Sequence, residues 1–230
     1  MSWEVPQNQS ENEIIMKIGK LTCNISKGEG QQVCYIFTPM PISYEWMVKQ
    51  TQERGCSLVV ISNLDWGNDL TPWKAPNIFR SEPDFGGMGQ KFLKTLLDDV
   101  LPKVENHLQI THVERTLIGI SLSGLFALWA WMQGDDFKHI ASVSGSFWYE
   151  GFTEWLQSSV VKKGGKAYLS LGDKEPKQRN PFFKMIGEKT LQTLEILKYA
   201  GIDTTFEWNP GNHYVDILSR LEKALCHIYE

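Results

Sequence analysis

The stretch "RTLIGISLSGLFALWAWM", residues 115–132, joins two different patterns at a single serine. Residues 116–120 form a short apolar run, which predicts a buried β-strand. Residues 123–132 are apolar on nearly every face, which predicts a helix enclosed in the core. Ser121 lies between the two. A buried strand that leads directly into a buried helix is typical of parallel α/β sheets.

The same alternation of strand and helix continues on both sides of this stretch. Further buried strands are predicted at 33–37, 56–62, 139–144, 166–171 and 204–208. Helices are predicted at 44–55, closed by Gly55, at 92–101, ended by Pro102, at 183–199, and at the C-terminus, where Leu218, Leu221, Leu225 and Ile228 form an apolar stripe. The run "IIMKIGKLTCNIS" (14–26), split at Gly19-Lys20, predicts an N-terminal β-hairpin.

These patterns predict one α/β domain over residues 1–230, with a mostly parallel central sheet and helices on both faces. Residues 1–12 form a polar leader before the hairpin. The segment between "SGSFW" (144–148) and the strand at 166–171 is short. We therefore expect no large lid domain.

The composition narrows the classes of function. The formal net charge is −4 and the pI is about 5.8, without a long run of Lys or Arg, so a nucleic-acid-binding surface is not expected. No apolar run is long enough to cross a bilayer, and the polar N-terminus lacks the pattern of a secretory signal. The cysteines lack metal-site spacing. We expect buried free thiols in a cytoplasmic protein. The cysteines are Cys23, Cys34, Cys56 and Cys226.

Ser121 is the predicted nucleophile. Functional residues of a parallel sheet gather at the carboxyl ends of its strands, and the strand–serine–helix context is that of a nucleophile elbow. Such a tight turn requires small residues two positions before and two positions after the serine, and Gly119 and Ser123 meet this requirement. If Ser123 were the nucleophile, Leu125 would occupy one of these crowded positions.

His213 is the predicted base, because a serine hydroxyl is a weak nucleophile until a base takes its proton. It follows the last predicted strand in the loop sequence "EWNPGNHYVD", at the carboxyl edge of the sheet. The other histidines are at the opposite edge, at a strand start or on the last helix. They are His107, His112, His139 and His227.

Two carboxylates in "YLSLGDKEPKQR", the loop after the penultimate strand, could orient the imidazole. Glu175, third after Gly172, is favoured because the chain must leave the strand before a side chain can turn toward the histidine. Asp173 is the alternative. The chain order of serine, acid and histidine is that of the α/β-hydrolase fold.

Several of these segments together resemble the putative esterase family of α/β-hydrolases, which includes esterase D-like and enterochelin esterase-like proteins. They are the opening stretch, "HIASVSGSFWYEGF", "LSLGDKEP" and "LKYAGIDTTFEWNPGNHYVDIL". The resemblance covers roughly residues 33–225. It implies that Ser121 is the nucleophile, His213 the base and Glu175 the acid, with no metal or organic cofactor.

Two departures from the family pattern concern the elbow and the oxyanion hole. Ser123 stands where the family usually has glycine, a small change that the elbow tolerates. The loop after the strand at 33–37 often reads His-Gly in the family, but here it reads "TPMP" (38–41), and proline has no N–H to donate. We expect Leu122 N–H as one donor and the N–H of Met40 or of a neighbouring residue as the second. Loss of one donor costs about two to three orders of magnitude in rate.

The predicted pocket has aromatic walls formed by Trp66, Trp73, Phe147 and Trp148. Such walls suit a small-molecule ester with an aromatic or acyl part. The sequence therefore predicts a serine hydrolase that cleaves carboxylic esters through an acyl-enzyme. Two alternatives stay open. One is a thioesterase or acyltransferase with the same residues, and the other is a weakly active or non-catalytic ligand-binding homologue.

Overall fold

A computed structural model describes residues 13–38, 42–78, 82–177 and 181–230, with the backbone alone at 181–183. The strands are β1 Glu13–Ile18, β2 Leu21–Ser26, β3 Gln32–Phe37, β4 Ser57–Ser62, β5 Lys74–Ala75, β6 Phe85–Gly86, β7 Glu114–Ile120, β8 His139–Val143, β9 Lys166–Gly172 and β10 Asp203–Asn209. The helices are α1 Tyr44–Gln52, α2 Trp66–Asp69, α3 Gly89–Thr95, a π-helical turn Leu96–Val100, α4 Leu101–Leu108, α5 Leu122–Gln133, α6 Phe152–Ser159, α7 Pro181–Tyr199 and α8 Ile217–Tyr229. Residues 1–12, the predicted leader, lie outside the described part.

Eight of the strands form one sheet in the order β1-β2-β4-β3-β7-β8-β9-β10. The pairs β1–β2 and β2–β4 are antiparallel, and every other neighbouring pair in this sheet is parallel. The predicted mostly parallel sheet and the N-terminal hairpin are therefore confirmed. The hairpin turns at Gly19, whose φ of 58° is readily adopted by glycine.

Side chains of successive strand residues enter two separate cores, one on each face of the sheet. In β3, Val33, Tyr35 and Phe37 contribute to the larger core, which includes α5, while Cys34 and Ile36 contribute to the core under α1 and α8. Every residue of α5 from 123 to 132 is buried, as its all-round apolar pattern predicts. Full burial of a Leu or Phe side chain contributes about 1.5–3 kcal/mol.

The prediction that Pro102 ends a helix is wrong. The chain remains helical through α4 and stops at Gln109, which adopts a left-handed φ of 58°. Pro102 follows the π-helical turn directly and occupies the first turn of α4, where its missing N–H matters least. Val104 and Leu108 continue the buried face beyond the proline, with exposed fractions of 0% and 1%.

The predicted apolar stripe of α8 is confirmed at Leu221, Leu225 and Ile228 and is wrong at its first residue. Leu218 is 39% exposed, whereas Ile217 is buried and begins the stripe that continues through Leu221 and Leu225. Arg220 lies on this buried side with no exposed surface. A charged side chain thus occupies a position that the helical pattern would assign to an apolar residue.

The carboxyl ends of the parallel strands bring four loops to one edge of the sheet. Ser121 follows β7, Ser144 follows β8, Glu175 follows β9 and His213 follows β10. Because these strands are consecutive neighbours in the sheet, their loops are consecutive neighbours as well. This edge is where parallel α/β sheets bind their ligands.

Candidate active site

Ser121 occupies a strained turn between β7 and α5. Its φ of 61° and ψ of −123° lie in a region that residues with a Cβ rarely adopt. The turn is held from both sides, because Ser121 N donates to Val143 O at 3.1 Å and Ser121 O accepts from Ser146 N at 3.1 Å. Leu125 N also donates to Ser121 O, at 3.1 Å. The surrounding structure therefore enforces the unusual backbone at this serine.

The two small residues around Ser121 are required for different reasons. A Cβ on Gly119 would lie 2.0 Å from Ser123 O, a distance that no side chain tolerates. Ser123 is completely buried, and its Oγ accepts from Ile120 N at 2.7 Å and lies 2.8 Å from Phe37 O. Its hydroxyl therefore ties the elbow to the end of β3 and faces away from solvent.

His213 is paired with Glu175. The distance from His213 Nδ1 to Glu175 Oε2 is 2.8 Å. The other oxygen, Glu175 Oε1, accepts hydrogen bonds from Gly172 N at 2.7 Å, Ser144 Oγ at 2.7 Å and Arg220 Nη1 at 3.1 Å. The Glu175 side chain is fully buried, so these donors replace the water that its carboxylate would otherwise bind.

The environment lowers the pKa of Glu175. Burial alone would raise this pKa, but the hydrogen bond and charge of His213, together with the donors Ser144 and Gly172, outweigh burial. Glu175 is therefore a carboxylate at neutral pH. A carboxylate on Nδ1 fixes the imidazole tautomer that leaves Nε2 able to accept a proton.

Asp173, the alternative acid, binds the backbone of the histidine loop. Gly211 N donates to Asp173 Oδ1 at 2.7 Å, and Asp173 Oδ2 lies 3.9 Å from Lys177 Nζ. Within the described part of the chain, the carboxylate that contacts His213 is that of Glu175.

The hydroxyl of Ser121 is directed toward another serine. Its Oγ lies 3.4 Å from Ser146 Oγ, in the loop after β8. Among the described residues no hydrogen bond joins Ser121 to His213. Hydrogen bonds between a nucleophile and its base are often long without substrate and shorten in the complex. In this structure His213 is therefore hydrogen-bonded to Glu175, whereas the Ser121 hydroxyl contacts Ser146.

Ser121 lines a cavity of about 520 Å³. Leu122, Ser146 and Trp148 share the wall with it. The rest of the wall is mostly polar and acidic and carries no Lys or Arg among the described residues. It consists of Asp65, Gly67, Asn68, Asn77, Glu82, Pro83, Asp84 and Phe85. A second cavity, of about 560 Å³, lies at the amino ends of β7 to β9, far from these groups.

The other predicted pocket aromatics lie outside this wall. Phe147 is 1% exposed and stacks on Phe152 in the core, with ring centroids 5.5 Å apart. Trp73 donates from Nε1 to Glu150 O at 2.9 Å, and Trp66 opens α2 and packs against the core. These three side chains pack within the fold and do not line this cavity.

Leu122 begins α5, and the first N–H groups of a helix have no acceptor within the helix. Its N–H can therefore serve an oxyanion beside Ser121. The second predicted donor, Met40, lies outside the described residues.

Three residues of this edge were missed by sequence reasoning: Ser144, Ser146 and Arg220. Ser144 adopts a left-handed φ of 50°, which no local sequence pattern predicts. For Arg220 a signal did exist, since it interrupts the apolar side of an amphipathic helix between Ile217 and Ala224. A buried charge at such a position requires a partner.

The sheet order and the loops at its carboxyl edge define an α/β-hydrolase fold. The siderophore hydrolase EstB from Aspergillus nidulans shares it, with a TM-score of 0.77 at 16% identity over 98% of both chains. An IroE-like serine hydrolase from Shewanella oneidensis also has a TM-score of 0.77 at 16% identity, over 94% of this chain and 79% of that one.

The sequence then specifies the family. The family model described as "Putative esterase" matches residues 32–213, and the chain belongs to this family. It is also similar to YbbA of Bacillus subtilis (strain 168), named as an uncharacterized protein, with 32% identity over 138 residues. That match covers 58% of this chain and 55% of YbbA, about half the length of this relative.

Proposed function

We propose that this protein is a serine hydrolase that cleaves carboxylic esters through an acyl-enzyme. Ser121 is the nucleophile, His213 the general base and Glu175 the acid that orients His213. The hydrogen bond of 2.8 Å between His213 Nδ1 and the buried Glu175 carries the proposal, because it prepares a base at the same carboxyl edge of the sheet as the serine of the elbow. Membership of the esterase family supports the same reaction.

The reaction proceeds in two halves. His213 Nε2 takes the proton of Ser121 Oγ as the oxygen attacks the ester carbonyl, and Leu122 N–H stabilises the resulting oxyanion. The tetrahedral intermediate expels the alcohol, which receives the proton from His213. Water then attacks the acyl-enzyme by the same route, with His213 again as base, and releases the acid and Ser121. No metal or organic cofactor takes part.

The proposed substrate is a small-molecule ester. Similar folds include a siderophore hydrolase, which makes siderophore esters candidates. The three carboxylates of the cavity wall, Asp65, Glu82 and Asp84, favour substrates that carry no large negative charge. We place neutral and cationic esters first among the compounds to test.

We further propose a cytoplasmic location. Cys23, Cys34, Cys56 and Cys226 are all free thiols, as expected in a reducing compartment. Burial raises the pKa of Cys23 to about 11 and that of Cys56 to about 12. None of the described helices has the length and hydropathy needed to span a bilayer.

A second candidate is a weakly active or ligand-binding homologue. The observation that favours it is the contact of Ser121 Oγ with Ser146, at 3.4 Å, in place of one with His213. If this arrangement persists with ligand bound, His213 cannot take the serine proton.

Labelling with a fluorophosphonate probe separates the two candidates, because the probe reacts with an activated serine whatever the natural substrate is. We expect labelling of the wild type and of Ser123→Ala, and none of Ser121→Ala or His213→Ala. Ser123→Ala is the matched control, since Ser123 Oγ is buried in the elbow two residues away. A folded wild type that resists the probe would exclude the activated serine and favour the ligand-binding homologue.

A further inference from the structure

Arg220 is a fully buried arginine at the carboxyl edge of the sheet. A guanidinium removed from water is costly unless it is paired and hydrogen-bonded. Its neighbours on the buried side of α8, Ile217, Leu221 and Ala224, are apolar. A leucine or methionine would extend this stripe without that cost, so the charge itself requires an explanation.

The Arg220 guanidinium contacts both the proposed acid, Glu175, and the backbone of the loop that carries the proposed base, His213. Arg220 Nη1 donates to Glu175 Oε1 at 3.1 Å and to Ser144 Oγ at 2.9 Å. Arg220 Nη2 donates to Asn212 O at 2.8 Å, and Pro210 O lies 3.5 Å away. Asn212 directly precedes His213, so one planar group joins the acid to the backbone that carries the base.

We propose that Arg220 is a positioning residue of the triad, which aligns Glu175 with the loop of His213 and whose charge sets the pH range in which His213 acts as a base. This inference rests on the proposed function. The fixed fork of an arginine suits the role better than a lysine ammonium, because its donors point to several acceptors in one plane.

The hydrogen bonds explain the alignment. With Arg220, Ser144 and Gly172 N all on Oε1, the Glu175 carboxylate cannot rotate, and Oε2 is presented to His213. Arg220 also fixes the loop carbonyl just before His213. Without these hydrogen bonds, thermal motion would vary the distance between Glu175 and His213. Misplacement of a catalytic group by about 1 Å can lower the rate about 100-fold.

The positive charge of Arg220 affects the pH range in which His213 can act as a base. Glu175 and His213 share a hydrogen bond of 2.8 Å, so a charge beside one of them acts on the other. A positive charge 3.1 Å from this pair opposes uptake of the proton that inactivates the base. Its removal makes the pair bind that proton more tightly, which moves the acid limb of the activity profile to higher pH.

The other charged or titratable groups around this pair are not mutated in any of the variants. They are Asp173 with Lys174 and Lys177 in the acid loop, Tyr214 edge-on to the His213 ring, Asp216 at the start of α8, and Lys223 with Glu207 across α8 and β10.

Three variants and one control test this role. Arg220→Gln removes charge and fork, Arg220→Lys keeps the charge but loses the fork, and Ser144→Ala removes one donor to Glu175. Arg54→Gln is the matched control, because Arg54 is 11% exposed and its Nη2 donates to Cys226 Sγ on the same helix, remote from His213. Folding of each variant is checked by thermal unfolding.

The readouts are kcat/KM for a p-nitrophenyl ester as a function of pH and the titration of His213 by NMR with isotope-labelled histidine, assigned by His213→Ala. For Arg220→Gln we expect kcat/KM to fall about 10- to 100-fold. We also expect both the acid limb and the NMR midpoint to move up by roughly half a pH unit or more. Arg220→Lys and Ser144→Ala should lose rate with little movement of the limb. Arg54→Gln should leave the profile in place.

An Arg220→Gln protein that is less stable but has the wild-type limb and NMR midpoint would overturn the proposal. If Arg220→Gln does not fold, unchanged kcat in both Arg220→Lys and Ser144→Ala would overturn it as well. The NMR titration does not depend on turnover. A wild type without esterase activity would refute the proposed function, whereas an unmoved His213 titration would refute the role of Arg220.

Discussion

Gly119 stands two residues before Ser121, where β7 enters the elbow, and the turn leaves no room for a side chain at this position. A Cβ would lie 2.0 Å from Ser123 O, which is backbone and cannot move aside alone. We expect Gly119→Ala to lower the free energy of unfolding by about 3 kcal/mol or more and to abolish probe labelling. Urea unfolding measures this change.

Gly164→Ala is the control for that substitution, because a Cβ on Gly164 meets no atom within 4 Å. We expect its stability to change by less than about 1 kcal/mol. Equal losses in the two variants would contradict the argument from the elbow.

The Glu175 carboxylate makes stability depend on acid pH. Its pKa is lowered in the folded protein, so its contribution to stability is present above the ordinary glutamate value of 4.5 and is lost as the pH falls through the lower folded value. Glu175→Gln cannot take up this proton. We expect the slope of unfolding free energy against pH to decrease below pH 4.5 by up to about 1.4 kcal/mol per pH unit.

Urea titrations at a series of pH values measure that slope. Glu29→Gln, at an exposed glutamate outside the site, is the control and should keep the wild-type slope. A Glu175→Gln slope equal to that of the wild type would show that Glu175 does not carry this acid dependence.

The long helix before β7 accommodates Pro102 because a π-helical turn precedes it. In a regular helix interior a proline costs about 3 kcal/mol, so its replacement would be strongly stabilising. Here Pro102 follows the wider π-helical turn and lies in the first turn of α4, where its missing N–H costs little. We therefore expect Pro102→Ala to change the free energy of unfolding by less than about 1 kcal/mol, measured by urea. A gain near 3 kcal/mol would show that the proline strains this helix.

The same helix shows why sequence patterns predict the type of an element better than they predict where it ends. Strand and helix identities follow from burial periodicity, which is local, and the hairpin follows from the glycine turn at Gly19. The continuation past Pro102 depends on a π-helical turn that is packed against the core through Leu96 and Val100. No local rule predicts that turn. The π-helical segment is thus a property of packing.

At the scale of the whole molecule, Ser121, Glu175 and His213 could be proposed from the sequence because each follows a strand of a parallel sheet. The residues that hold Glu175 could not. Ser144 and Arg220 lie 31 and 45 positions away from it along the chain, and their contacts exist only after the strands and α8 have assembled. The pairing of these buried charges depends on the topology of the fold, so no local sequence pattern predicts it.

The acidic part of the cavity wall gives the last prediction. Asp65, Glu82 and Asp84 are exposed at the cavity, and no Lys or Arg of the described chain forms an ion pair with them. Their field should attract a cationic ester over an uncharged one of equal shape, such as a choline ester over its 3,3-dimethylbutyl analogue. We expect a kcat/KM ratio of about 3 to 10 at low salt, declining as salt screens the exposed charges.

The triple variant Asp65→Asn, Glu82→Gln, Asp84→Asn should bring that ratio toward one while the uncharged ester is cleaved at the wild-type rate. Glu29→Gln neutralises one exposed carboxylate away from the cavity, and this control should leave the ratio unchanged. Because these carboxylates are solvated, their effect is on the capture of substrate and not on the chemical step, so kcat should stay constant and KM should change. A ratio that survives neutralisation of all three would mean that the preference arises elsewhere, for example from the shape of the wall around Trp148.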